Sequence, residues 1–317
     1  MFVRRFPEQS RKSSQEYHSH DTRGKIVIPV LFEIGPIKIY SFGLMMGLAF
    51  IVANLLLVRE FRRKGMPVEK AGTITLIALV GGVIGSKLFS VFENWDQFVK
   101  DPSGELFSAA GLTFYGGLIV ATLSIFLYVR KQKLGFLRVA DAASPSLILA
   151  YGIGRIGCQL AGDGDYGVPT DLPWAMTYPN GTVSTLAAKN EQLVALWNQI
   201  FPDRAVPTDI PVHPAPVYET LAAFAIFGIL WMLRKRPMAA GMLFSIYLIL
   251  AGIERFLVEL IRLNPEYGTL SQAQWISIIM IALGGFMAFK LKDHAVDEGY
   301  RSPSQGRSAR RRAKTDG

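Results

Sequence analysis

Apolar residues fall along this chain in long blocks, not in the stripes of amphipathic helices, and short polar connections separate the blocks. The first runs from Ile39 to Val58 without a charge. Ala71 to Phe92 follows, broken only by Lys87, and then Leu106 to Val129, uncharged throughout. Further blocks are Ala142 to Gly162, Val217 to Leu233, Pro237 to Leu260 and Leu270 to Phe289. Each is long enough to cross hydrocarbon as a helix, which takes about 20 residues, and too long for barrel strands. The pattern predicts an all-α polytopic membrane protein with seven transmembrane helices.

One connection is long. Between the fourth and fifth blocks, about Asp163 to His213, turn formers ("GDGDYGVPTDLPW", "YPNGT") precede a short amphipathic stretch, "AKNEQLVALWNQI". Trp174, Met176, Leu193, Leu196, Trp197 and Ile200 give this segment something to bury, which predicts a small extracytoplasmic head. Residues 1–30 read as a polar N-terminal tail, 31–292 as the seven-helix domain and 293–317 as a basic C-terminal tail. Met1 to Gly24 and His294 to Gly317 are expected to be disordered. The first thirty residues lack an apolar core followed by a small-residue cleavage site, so the first helix is expected to act as the targeting signal.

Charge placement orients the chain. Arg59, Arg62, Arg63, Lys64 and Lys70 follow the first block, Arg130, Lys131, Lys133 and Arg138 the third, and Arg234, Lys235 and Arg236 the fifth. The loop after the second block, "ENWDQFVKDPSGE", is acidic. Basic loops stay in the cytoplasm, which puts the C-terminus inside and the N-terminus outside. Arg4, Arg5, Arg11, Lys12, Arg23 and Lys25 pull the other way, and three internal loops outweigh them.

Composition narrows the function classes. Half of the residues are apolar (50%) and 19% are charged. The net charge of +9 sits in loops and tails, where it suits anionic headgroups better than nucleic acid. Cys158 is the only cysteine, and His18, His20 and His294 lie in polar tails, so neither a disulfide nor a metal site is expected, and no cofactor.

The candidate chemistry lies in charges set inside apolar blocks. Arg155 has no carboxylate at helical spacing on its own segment, although Asp163 is near enough to reach it from the helix end. Arg255 has Glu259 four residues on, on the same face. Charges are costly in hydrocarbon, so the two arginines are expected either to bind an anion or to form structural ion pairs.

The stretch "GRIGCQLAGDGDYG", residues 154–167, resembles the signature segment of the prolipoprotein diacylglyceryl transferase family. "IYSFGLMMG", "YGGLI", "HPAPVYE" and "ERFLVELIR" follow the family's order, and the resemblance runs from about Ile34 to Leu291. It implies an enzyme of the bacterial cytoplasmic (inner) membrane. A lipobox cysteine at the end of a prolipoprotein signal peptide attacks the glyceryl carbon of phosphatidylglycerol, forming a thioether and releasing glycerol phosphate. Guanidinium forks suit the departing phosphate. By resemblance Arg155 is the signature arginine, Arg255 and Glu259 the sixth-helix pair, and Gly162 precedes the acidic slot for which Asp163 and Asp165 compete. Gly116, Gly117, Gly167, Tyr40, His213 and Glu219 lie in or beside the matching motifs as substrate-binding candidates.

This chain departs from the family pattern at several positions. Tyr115 stands where His-Gly-Gly is usual, and a phenol of pKa about 10 is a poor base for a thiol of pKa about 8.5. A positioning role, a phenolate base and an altered activity all remain open, and positioning is the expectation. Phe42 replaces a common Tyr, Cys158 a common Asn, and Lys87 a common Arg. Lys87 is a candidate for lipid phosphate or for snorkelling. A different class, a seven-helix transporter or lipid-binding protein, would hold the anion without chemistry; no repeat symmetry argues for it.

Overall fold

A computed structural model describes residues 27–35, 37–107, 113–264, 266–267 and 269–294. The first element among the described residues is an antiparallel hairpin, β1 (Val30–Ile34) and β2 (Ile37–Tyr40), which leads into α1 (Ser41–Arg63). Then come α2 (Glu69–Glu93), two short helices α3 (Trp95–Lys100) and α4 (Pro102–Phe107), α5 (Phe114–Lys131) and α6 (Phe136–Ala161). The long connection carries α7 (Glu191–Ile200). It is followed by α8 (Ala215–Leu233), α9 (Met242–Glu259), a two-residue ladder of β3 (Glu266–Tyr267) with β4 (Leu270–Ser271), and α10 (Gln272–Leu291).

The fold is mostly helical, and among the described residues five helices, α1, α2, α6, α8 and α10, are long and apolar enough to cross a membrane. Helices α5 and α9 have 18 residues each, and α9 carries Glu254, Arg255 and Glu259. Their outer faces are apolar: Leu44, Leu48, Ile51 and Leu55 of α1 are all exposed, at the three- and four-residue spacing of one helix face. A soluble chain would not leave such a stripe bare.

Several boundaries differ from the sequence blocks. Leu106 and Phe107 end α4, so the third long helix begins only at Phe114. The fourth starts at Phe136, earlier than Ala142, and continues through Pro145. The sixth starts at Met242, because Gly241 turns the chain with φ 95° after Pro237. Val27, assigned by sequence to the tail, is buried with Tyr166, Tyr178, Leu193, Trp197, Ile210 and Val212. Of the two tails, residues 27–30 and 293–294 are described, and the rest lie outside the described residues.

Segment 163–213 folds around that cluster, with Leu193 and Trp197 at its centre. Trp174 and Ile200, expected inside, are 57% and 41% exposed. The indole N–H of Trp174 instead donates to Tyr218 Oη at 2.8 Å, and Ile200 is the last residue of α7.

Helix α1 packs on α6, α2 on α5, α6 on α8, and α9 on α10. The basic helix ends meet at one end of the bundle. Glu60, fully buried, takes Arg63 at 2.7 Å and pairs with Arg234. Asp141 accepts from the N–H groups of Gly241 and Phe244, each at 2.8 Å, and so caps α9 from a neighbouring helix. The arginines of interest lie at the opposite end, near the last turns of α6 and α9 and the first of α8.

Candidate functional site

Backbone pairing just beyond the helices draws three connections together. Gly167 donates to His213 O at 2.8 Å, Val168 donates to Ile261 O at 2.8 Å, and His213 donates to Val168 O at 3.1 Å. A Cβ at Gly167 would stand 2.5 Å from Ile261 O and 2.9 Å from the His213 Cβ, so only glycine allows this crossing. The crossing sets the segment after α6, the entry to α8 and the exit from α9 side by side. Gly162 makes the preceding turn with φ 57°, and a Cβ there would meet Gly181 Cα at 2.7 Å.

The side chains brought together form a charge cluster with Glu219 at its centre. Its carboxylate is fully buried and lies 3.3 Å from Arg155 Nε, 3.3 Å from Arg255 Nη1 and 3.5 Å from Arg262 Nη1. Tyr151 donates to its Oε1 at 2.9 Å. Arg155 and Arg262 both grip Asp165. Arg255 is held by Glu259 at 2.6 Å, as its spacing on α9 predicts. Arg155 also lies over the Tyr151 ring, 5.0 Å from its centroid. Arg155 is therefore not without carboxylates: they come from the following loop and from α8, where spacing along its own helix could not show them.

The two competing aspartates separate. Burial acts to raise the Asp165 pKa, but Arg262 and Arg155 outweigh it and hold the carboxyl below its usual range. Asp163 is raised by burial, and next by the charge of Asp165. It accepts from the Asp165 N–H at 3.2 Å and hydrogen-bonds with the Cys158 thiol. Asp165 thus occupies the place beside the arginines. Cys158, Asp163 and Asp165 bring ligand atoms within 4.8 Å of one another, but Asp165 already faces two guanidiniums, a poor setting for a metal ion.

Other candidates stand at varying removes. Tyr115, half-buried on α5, lies within electrostatic reach of Arg255 and Glu259. Gly116 and Gly117 are explained by packing: Cβ atoms there would collide with Phe89, Gly85 O and Ser86 on α2. Lys87 is half-buried on the same α2. His213 sits 3.4 Å from Tyr218 Oη, and burial lowers its pKa. Tyr40 is exposed at the hairpin end and pairs with Val30, outside the cluster's described contacts. Phe42 packs toward Gly157 of α6.

Sequence reasoning did not single out Arg262, Tyr151 or Glu254. Tyr151 lies four residues before Arg155, so helical spacing from a residue already chosen would have found it, whereas Arg262 lies beyond the end of α9 at Glu259, where that spacing no longer holds. As a unit, the cluster presents two guanidiniums, Arg155 and Arg255, that stay partly open with side chains 16% and 23% exposed, backed by Arg262 at 8%. Such forks can bind a phosphate or carboxylate bidentately.

The sequence model of the prolipoprotein diacylglyceryl transferase family matches residues 29–290. A phosphatidylglycerol–prolipoprotein diacylglyceryl transferase of Clostridium tetani is 31% identical over 262 residues, covering 82% of this chain and 96% of that protein. The second such transferase of Clostridium perfringens is 32% identical over 268 residues, covering 83% and 94%. One of Mannheimia succiniciproducens is 32% identical over 269 residues, covering 81% and 90%.

Proposed function

Because the chain belongs to the prolipoprotein diacylglyceryl transferase family, we propose that it catalyses the transfer for which its relatives are named. The diacylglyceryl group of phosphatidylglycerol passes to a prolipoprotein cysteine. The thiol releases its proton to water, sulfur bonds to the glyceryl carbon, and the carbon–oxygen bond breaks with its electron pair going to glycerol phosphate. The observation that carries the reading is the three-arginine cluster, built from the family's own motifs at the end of the bundle away from the basic loops. Preorganised donors aimed at developing charge commonly lower the barrier of such reactions more than any other effect.

In this reading Arg155 and Arg255 hold the phosphate, Arg262 backs them, and Asp165, Glu219 and Glu259 fix the guanidinium planes. Helices α5 and α9 span with the other five, making seven. The N-terminus is outside and the C-terminus cytoplasmic, so segment 163–213 forms an extracytoplasmic head over the cluster. The partners are phosphatidylglycerol and a signal peptide with a lipobox cysteine. Purified protein with both should yield a thioether-linked diacylglyceryl peptide and free glycerol phosphate. Lipid binding with no product, under conditions where a His-containing relative turns over, would favour a lipid-binding protein instead.

Tyr115 acts by positioning, through its ring and its hydroxyl beside Arg255 and Glu259. Tyr115→Phe is then expected to cost about tenfold to hundredfold in rate, roughly 1.4 to 2.8 kcal/mol of barrier, and Tyr115→His to be tolerated. A phenolate base would behave otherwise: Tyr115→Phe nearly inactive, and a wild-type rate climbing with pH through the phenol's titration. Rate–pH profiles of the three proteins decide between them.

A further inference from the structure

The cluster's three arginines are matched by Asp165, Glu219 and Glu259; Asp163 is bonded within its own turn and to Cys158, which leaves Glu254. Glu254, on α9, is only 7% exposed and makes no ion pair among the described residues. Its hydrogen-bond contact is Tyr151 Oη, 3.4 Å from its Oε1. The same hydroxyl is 2.9 Å from Glu219 Oε1. A phenol has one proton to give, and Glu219, facing three guanidiniums, is the ionised acceptor that takes it. The second contact closes as a hydrogen bond only if Glu254 supplies a proton of its own.

The surroundings agree. Tyr151 and Arg155 face Glu254 from α6, Glu219 faces it from α8, and Arg255 and Tyr247 lie on its own helix. The charged residue of α10 is Lys290, in the last turn, beside the end where α9 begins. A bare carboxylate at Glu254 would be buried without an ion pair and turned toward a second carboxylate, a costly arrangement that a proton removes.

We propose that Glu254, Tyr151 and Glu219 form a proton relay that moves a carboxylate charge away from the phosphate as it leaves. At rest the spare proton is on Glu254, and Glu219 holds the arginines. As the carbon–oxygen bond breaks, the phosphate gains a second negative charge and draws the guanidiniums from Glu219. Glu219 then takes the proton of Tyr151 while Tyr151 takes that of Glu254. Two O–H bonds break, two form, and net charge is unchanged. The negative charge ends on Glu254, within reach of Arg255 and Arg155, instead of next to the phosphate. Glu254 and Tyr151 are positioning residues here: Tyr151 touches Glu219, Glu254 touches Tyr151, and both act through Glu219. The relay rests on the transferase reading above.

Glu254→Gln keeps the volume and a donor toward Tyr151 but cannot release a proton. It should lower kcat at least about tenfold while KM for phosphatidylglycerol stays within about threefold. Tyr151→Phe should do the same, and the double variant should be no slower than the worse single one, because both interrupt one path. Independently of turnover, infrared spectra of the purified protein should show a protonated carboxylic acid that is absent from Glu254→Gln and whose band shifts when glycerol phosphate is added. A wild-type kcat in Glu254→Gln, losses that add in the double variant, or no such acid band would each overturn the relay. If the wild type made no thioether product the transferase reading would fail, and the infrared band would still decide whether Glu254 carries the proton.

Discussion

Arg155→Lys is expected to reduce turnover by about a hundredfold or more while expression and thermal stability stay near wild type, with Arg155→Ala slower still. The geometry explains why charge alone is not enough. Arg155 pairs through Nη1 with Asp165, approaches Glu219 through Nε at 3.3 Å, and lies over the Tyr151 ring. A planar fork can make these contacts and still present an open edge to a phosphate. An ammonium is a point donor on a flexible stem and must choose among them. Product formation at saturating phosphatidylglycerol, measured beside a melting curve in the same detergent, separates the roles. If yield, melting temperature and activity fall together, Arg155 is a structural ion-pair member and not the phosphate's ligand.

Arg155 and the Arg255–Glu259 pair could be read in the sequence because a charge inside an apolar block is conspicuous, and because four residues along a helix is a contact distance. Arg262 lacked the first signal. It lies beyond the apolar block, where an arginine is ordinary, and only the crossing at Gly167 turns it back onto Asp165 and Glu219. The choice between Asp163 and Asp165 depended on a glycine turn whose direction no spacing rule gives; once Gly162 and Gly164 take positive φ, Asp165 points at the arginines. The long helices followed from apolar length alone. The hairpin from Val30 to Tyr40 did not, because its alternation merged with the start of the first apolar block. Trp174 shows the limit of hydrophobicity as a guide to burial, since its indole N–H partner, Tyr218, keeps it at the surface.

Glu219 supports the second large effect, and it discriminates through opposite changes in stability and binding. The residue is fully buried between Arg155, Arg255 and Arg262. Removing one partner of a buried ion network typically costs about 3 to 5 kcal/mol, because charges are left without compensation. Glu219→Ala should lose stability on that scale. Glu219→Gln, which preserves shape and the Tyr151 contact, should lose less. The same change leaves three guanidiniums facing two carboxylates, Asp165 and Glu259, and so improves the site as an anion receptor even as it weakens the fold. Glycerol phosphate should therefore raise the melting temperature of Glu219→Gln by more than it raises that of the wild type, since a ligand stabilises in proportion to how well it binds the folded state. Turnover should still fall, because the guanidinium planes lose the group that fixes them. A Glu219→Gln protein as stable as wild type would show that the carboxylate is not the centre of the network. A destabilised one that glycerol phosphate fails to rescue would show that the arginines are held for packing and not for phosphate.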